Sequence, residues 1–86
     1  MKKNFSDKGW EDYLYWQGQD KKTLRRINQL LLDIDRNSNE GIGNPELLKN
    51  MDGFWSRRIN EKDRLVYKIE QGAIFISQCR GHYGDH

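Results

Sequence analysis

The chain has 86 residues, of which 33% are charged, with a formal net charge of +2, a sequence pI near 8.8 and a mean hydropathy of -1.05. That length predicts one domain, 1–86, with a modest core, because a short chain buries a low fraction of its surface. The longest apolar runs, Leu30-Leu31-Leu32 and Ala73 to Ile76, fall far short of the ~20 residues of a membrane span, and a single cysteine excludes an internal disulfide.

No charged, apolar and small-residue series opens the chain in the manner of a signal peptide, so the expected compartment is the cytoplasm. The first few residues, Lys2 to Phe5, suit an edge strand. Ser6 is placed to cap a helix in which Trp10, Tyr13 and Leu14 recur at three- and four-residue spacing, and Gly18-Gln19-Asp20 ends it. Asp20 caps a second, longer helix. Its apolar stripe is Leu24, Ile27, Leu31 and Ile34, reinforced by Leu30, and it breaks at Asn37-Ser38-Asn39 and the glycines beyond.

The segment from Gly41 to Lys49 offers a third, short helical turn, with Asn44 as cap and Pro45 at the first helical position, which would set Glu46 near exposed amide groups. From Gly53 the period changes to two. Strands are expected over Phe54 to Asn60, Arg64 to Glu70 and Ala73 to Arg80, with Gln71-Gly72 as the turn between the last two. That turn pairs Ile69 with Ile74 and Tyr67 with Ile76, so Leu65, Tyr67, Ile69, Ile74 and Ile76 share the face on which the helices pack. A loop of Glu61-Lys62-Asp63 adds Trp55 and Ile59 to that face. The fold class is therefore α+β, with two N-terminal helices on one face of a small antiparallel sheet.

The same parity gathers Arg58, Arg64, Val66, Lys68, Phe75 and Ser77 on the opposite face, with Cys79 and Tyr83 continuing the last strand's alternation. Arginines beside aromatics on an open sheet suit an RNA backbone, the guanidinium forks meeting phosphate oxygens and the rings meeting bases. A merely solvated face is the alternative. His82 has the opposite parity and joins this face if the chain turns at Gly81, where glycine makes a turn inexpensive. An imidazole, whose ordinary pKa is about 6.5, serves as acid or base near neutral pH. Scission of RNA by its own 2′-hydroxyl needs such a group, a base and positive charge around phosphorus. Glu46 is available as the base; its other reading is complementing a helix terminus.

Five stretches carry a resemblance: Trp10-Glu11-Asp12-Tyr13-Leu14-Tyr15-Trp16, Gly43-Asn44-Pro45-Glu46-Leu47-Leu48-Lys49, Gly53-Phe54-Trp55-Ser56-Arg57-Arg58-Ile59, Arg64-Leu65-Val66-Tyr67 and Cys79-Arg80-Gly81-His82-Tyr83. In this order they resemble the YoeB (Txe/YoeB) toxins of the RelE type, from bacterial type II toxin–antitoxin systems. The resemblance implies a RelE-like fold and a ribosome-dependent endoribonuclease that cuts messenger RNA in the ribosomal A site, without a metal or other cofactor. It implies Glu46 as general base, His82 as general acid, Arg64 as the group stabilising charge on phosphorus, and Tyr83 as the aromatic orienting the substrate. Lys49 and Arg58 match substrate-binding basic residues. It further implies a YefM-like antitoxin and a homodimer.

Lys21, Lys22, Arg25 and Arg26 crowd the start of the second helix, where the macrodipole disfavours cations, and are assigned to docking on ribosomal RNA; four solvated side chains are the alternative. The chain departs from the family pattern at Gly81, where an aromatic is frequent, and in continuing past the His-Tyr pair with Gly84-Asp85-His86. Two other function classes stay open: a non-catalytic module that blocks the A site, and a metal-dependent hydrolase using His82, Asp85 and His86.

Overall fold

The computed structural model describes residues 1–82, and both its helices start at the caps that the sequence offers. Ser6 accepts a hydrogen bond from Gly9 N at 2.9 Å and opens α1 (Asp7–Gln19). Asp20 accepts from the amides of Lys22 and Thr23 and opens α2 (Lys21–Asn37). The strands are β1 (Lys2–Phe5), β2 (Glu46–Leu47), β3 (Trp55–Arg58), β4 (Arg64–Glu70) and β5 (Ala73–Gln78). They form one sheet in the order β1-β5-β4-β3-β2, antiparallel except for β1, which lies parallel to β5.

The expected faces hold for β4, and for β5 as far as Ile76. Gln71 and Gly72 both have positive φ, 50° and 75°, as a tight two-residue hairpin turn requires, and Ile69 faces Ile74 while Tyr67 faces Ile76. Leu65, Tyr67, Ile74 and Ile76 have no exposed surface and meet Ile27, Leu30 and Ile34 of α2, which have none either. Burying each such aliphatic side chain contributes about 1.5–3 kcal/mol.

The stripe read for α1 is only partly right. Its buried residues are Gly9, Asp12 and Trp16, while Trp10 and Leu14 are exposed and Tyr13 packs at the margin with Phe5. Gly9 shows why: an added Cβ would lie 2.7 Å from the Ile76 carbonyl oxygen, so α1 approaches β5 backbone to backbone. Asp12 then accepts from Cys79 N at 3.0 Å, and Trp16 Nε1 donates to Cys79 O at 2.8 Å.

This docking bends β5. Val66 faces Gln78 and Tyr67 faces Ile76, so Ser77 is an extra residue in a bulge, and the alternation reverses beyond it. Cys79 is consequently a fully buried core residue, which corrects the expectation that it shares the open face with Phe75. The β3–β4 register is corrected too. Arg58 faces Arg64 directly, leaving residues 59–63 as the connection, two residues longer than expected. Asn60 Oδ1 accepts from the amides of Lys62 and Asp63 and organises this turn, and because the slip is even, Trp55 and Ile59 still face the core. Among the described residues no helix is long and apolar enough to cross a membrane.

Candidate active site

Glu46 lies in a strand, not in the helical turn expected after Asn44. Asn44 has a φ of 52°, a left-handed conformation that does not suit a helix N-cap, whose backbone is extended. Residues 43–48 instead satisfy the free edge of β3: Gly43 O accepts from Arg58 N, Glu46 faces Ser56, and Leu48 N donates to Phe54 O. Pairing an edge whose amides and carbonyls would otherwise be left unmatched outweighs one short helical turn.

The strand placement gives Glu46 a definite face. A row runs across the sheet through Glu46, Ser56, Val66 and Gln78, on the side away from both helices. Arg58 and Arg64, facing each other on that same side, form the next outward row. Ser56 and Val66 are buried in spite of the absence of helices there, so the charged residues rise from a packed floor.

Arg64 is held in place through its own side chain. Nη1 donates to the carbonyls of Asn60 at 2.7 Å and of Glu61 and Asp63 at 3.2 Å. A guanidinium has five N–H donors, and these bonds engage only one of its nitrogens. The Arg64 backbone N–H donates to Gly81 O at 2.9 Å, and Gly81 N donates to Asp63 Oδ1 at 2.8 Å. Gly81 has a φ of 93°, in the region glycine favours, so the turn expected before His82 is present and is tied to the residue bearing Arg64. His82 follows it directly and is exposed. Arg80 leaves in the other direction, its guanidinium carbon 3.6 Å from the centroid of the Tyr15 ring on α1.

The other predicted residues are less concentrated. Lys49 is exposed and follows Leu48, at the Phe54 end of the sheet and away from the Arg58–Arg64 row. Lys21, Lys22 and Arg25 are exposed, and Arg26 Nη2 donates to Arg58 O at 3.3 Å, so the basic end of α2 adjoins the arginine row. A groove lined by Asp20, Lys22, Thr23, Arg26, Ile59 and Asn60 lies between the start of α2 and the β3–β4 connection. Tyr83, Gly84, Asp85 and His86 lie outside the described residues, and with them most of the alternative metal set.

Sequence reasoning missed Arg57. It is on the helix side of β3 and has no exposed surface. Nη1 pairs with Asp33 and donates to Ile42 O, Nη2 donates to the carbonyls of Ser38 and Glu40, and Nε donates to the Tyr67 hydroxyl. Arg57 thus fastens the segment leading into β2, and hence Glu46, to the core. Its hydrogen bond holds the Asp33 carboxyl below the ordinary 3.8, and burial pushes the Tyr67 hydroxyl up. The available signal was parity, since Arg57 alternates with Trp55 and Ile59.

Residues 5–83 match the family described as "YoeB-like toxin of bacterial type II toxin-antitoxin system". The chain belongs to this family. It is 50% identical to Toxin YoeB of Escherichia coli K12 over 84 residues, which is 96% of this chain and all of that one. Its fold superposes on the YoeB dimer structure from Staphylococcus aureus with a TM-score of 0.91 at 49% identity, covering 96% of this chain and 98% of that chain. The heterotetrameric YoeB–YefM complex of S. aureus gives a TM-score of 0.89 at 48% identity over the same shares. Two helices on a mostly antiparallel five-stranded sheet are therefore the fold of these toxins.

Proposed function

We propose that this YoeB-like toxin is a ribosome-dependent endoribonuclease that cuts messenger RNA in the ribosomal A site and so inhibits translation. The observation that carries the reading is the common face of Glu46, Arg58 and Arg64, with His82 one residue beyond a turn bonded to the Arg64 backbone. Glu46 removes the proton from the 2′-hydroxyl, whose oxygen attacks phosphorus. His82 protonates the departing 5′ oxygen. Arg64 neutralises charge on the pentavalent phosphate, Arg58 and Lys49 hold the backbone, and Tyr83 orients the substrate. The products are a 2′,3′-cyclic phosphate, or the 3′ phosphate that its hydrolysis leaves, and a 5′-hydroxyl, and the residues supply both proton transfers without a cofactor.

Acid–base groups contribute rate factors of about 10²–10⁴, and the ribosome adds the in-line geometry that a small open site lacks. Lys21, Lys22, Arg25 and Arg26 dock on ribosomal RNA, beside the arginine row that receives the messenger. DNA, without the 2′-hydroxyl, is not a substrate. Because the S. aureus relatives form a YoeB dimer and a YoeB–YefM complex, we assign this chain a homodimeric state and a YefM-like antitoxin whose acidic, flexible segment covers the basic face. The site of action is the cytoplasm, where the ribosomes are.

The test is incubation of the full chain with programmed ribosomes, followed by mapping of messenger ends. Cleavage at the A-site codon leaving a 5′-hydroxyl is expected, with loss in Glu46→Gln and in His82→Gln while both variants still bind ribosomes. Intact messenger on stalled ribosomes would favour a non-catalytic blocking module instead.

A further inference from the structure

At the second end of the sheet, near Phe54, the proposed chemistry uses Lys49 alone. Lys68 faces Phe75 across β4 and β5, and Phe54 lies just before β3 on the same side. The Phe54 and Phe75 rings meet edge to face with centroids 6.4 Å apart, and Lys68 Nζ stands 5.4 Å from the Phe54 centroid. Phe75 keeps 39% of its surface exposed. One exposed phenylalanine would need no explanation. Here two rings and an ammonium form a group on the face that carries Arg58 and Arg64.

The neighbouring edge adds to it. Asn4 faces Phe75 and Lys2 faces Ala73. Lys3 and Phe5 are committed to the other side, Lys3 to Asp35 of α2 and Phe5 to the rings of Trp10 and Tyr13, so Lys2 and Asn4 belong to the open face. Glu70 is the acidic group in contact, its carboxylate 3.6 Å from Lys68 Nζ. Arg64 is four residues from Lys68 on the same strand, which at about 3.3 Å per residue separates the arginine row from the rings by roughly 13 Å. Between them lies the row of Glu46, Ser56, Val66 and Gln78, whose single charge is the carboxylate proposed as the base.

We propose that Phe75, with Phe54 and Lys68 beside it, is a stacking platform for a base of single-stranded RNA flanking the phosphate held by Arg58 and Arg64. This rests on the nuclease reading above and extends it to the substrate's neighbouring nucleotides. Aromatic faces accept any base, and a cation at the rim favours the adjoining phosphate, so the platform contributes affinity and register with little sequence preference. An RNA strand laid along β4 meets cations at both ends and a ring at the far one. That distribution of charge selects a polyanion with flat, apolar bases.

The experiment uses the full chain and a fluorescein-labelled RNA heptamer, 2′-O-methylated throughout so that it cannot be cut, followed by anisotropy at one low salt concentration. Phe75→Ala is expected to weaken binding about tenfold, and Phe75→Trp to preserve it. An abasic nucleotide at the platform position should cost the wild type the same factor and cost Phe75→Ala nothing further. Phe75 is exposed, so both variants are expected to fold, and circular dichroism checks this. Equal binding by Phe75→Ala and wild type overturns the platform, as does absence of RNA binding by the wild type or an effect of Phe75→Ala confined to a protein partner. Cleavage on programmed ribosomes is read in parallel. RNA bound through Phe75 but never cut leaves the platform standing and removes the nuclease reading.

Discussion

Arg57 and Arg58 are neighbours in the chain and opposites in the fold: Arg57 is sealed beneath β3 among Asp33, Tyr67 and three carbonyls, while Arg58 is exposed above it, facing Arg64. Two identical side chains thus have different tasks. Arg57→Met, which keeps bulk and deletes the hydrogen bonds, is expected to lower stability by about 2–3 kcal/mol, at the upper end of common single-substitution effects. Arg58→Met should stay within about 0.5 kcal/mol of wild type, yet reduce messenger cleavage. Urea unfolding of both variants checks the stabilities, and a reversed order would contradict the assignment of faces.

Two glycines of α1 separate helix propensity from packing. Replacing a mid-helix glycine by alanine ordinarily stabilises by up to about 1 kcal/mol. Gly18 has no atom within 4 Å of an added Cβ, so Gly18→Ala should gain part of that amount. At Gly9 the added methyl lies 2.7 Å from the Ile76 carbonyl oxygen, and forcing α1 off β5 costs about 1–3 kcal/mol, which exceeds the propensity gain. Thermal unfolding of the two variants should therefore shift in opposite directions.

Acid should loosen the loop behind Glu46. Asp33 is held below the ordinary 3.8, chiefly by the Arg57 hydrogen bond, Asp20 by the Thr23 hydroxyl, and Asp35 by Lys3. The unfolded chain therefore takes up these protons first. The contribution to stability is complete above about pH 4 and is lost as pH falls through the lower, folded values. Urea midpoints between pH 6 and pH 2 should fall at the acid end, with a shallower fall in Asp33→Asn; parallel curves would exclude Asp33 as a contributor.

Cys79 should be inert while the protein is folded. Burial, and then the Asp12 carboxylate, push its thiol up to about 12, and the reactive species is the thiolate. A disulfide reagent at pH 8 is expected to label it only after denaturant is added, at a rate that follows unfolding. Fast labelling of the native protein would mean that β5 and α1 separate at this point.

What the sequence determined by itself was local. The caps Ser6 and Asp20, the Gln71-Gly72 turn, the stripe from Ile27 to Ile34 and the alternation along β4 each depend on residues a few positions apart, and periods of 3.6 and two record them directly. Arg58 and Arg64 were legible for the same reason, since an even register slip leaves faces unchanged. Glu46 was legible as an available carboxylate but took its role, as Lys49 did, from resemblance to the toxin family, and the local signal of Asn44 and Pro45 pointed to a helix. Only the tertiary structure decided that residues 46 and 47 pair with the edge of β3, that Ser77 bulges so that Cys79 enters the core, and that Arg57 finds its partners on the loop before Glu46. Each is settled by backbone groups far away in the chain, the open edge of β3 and the approach of Gly9 to Ile76, whose hydrogen bonds and close packing outweigh short-range preference.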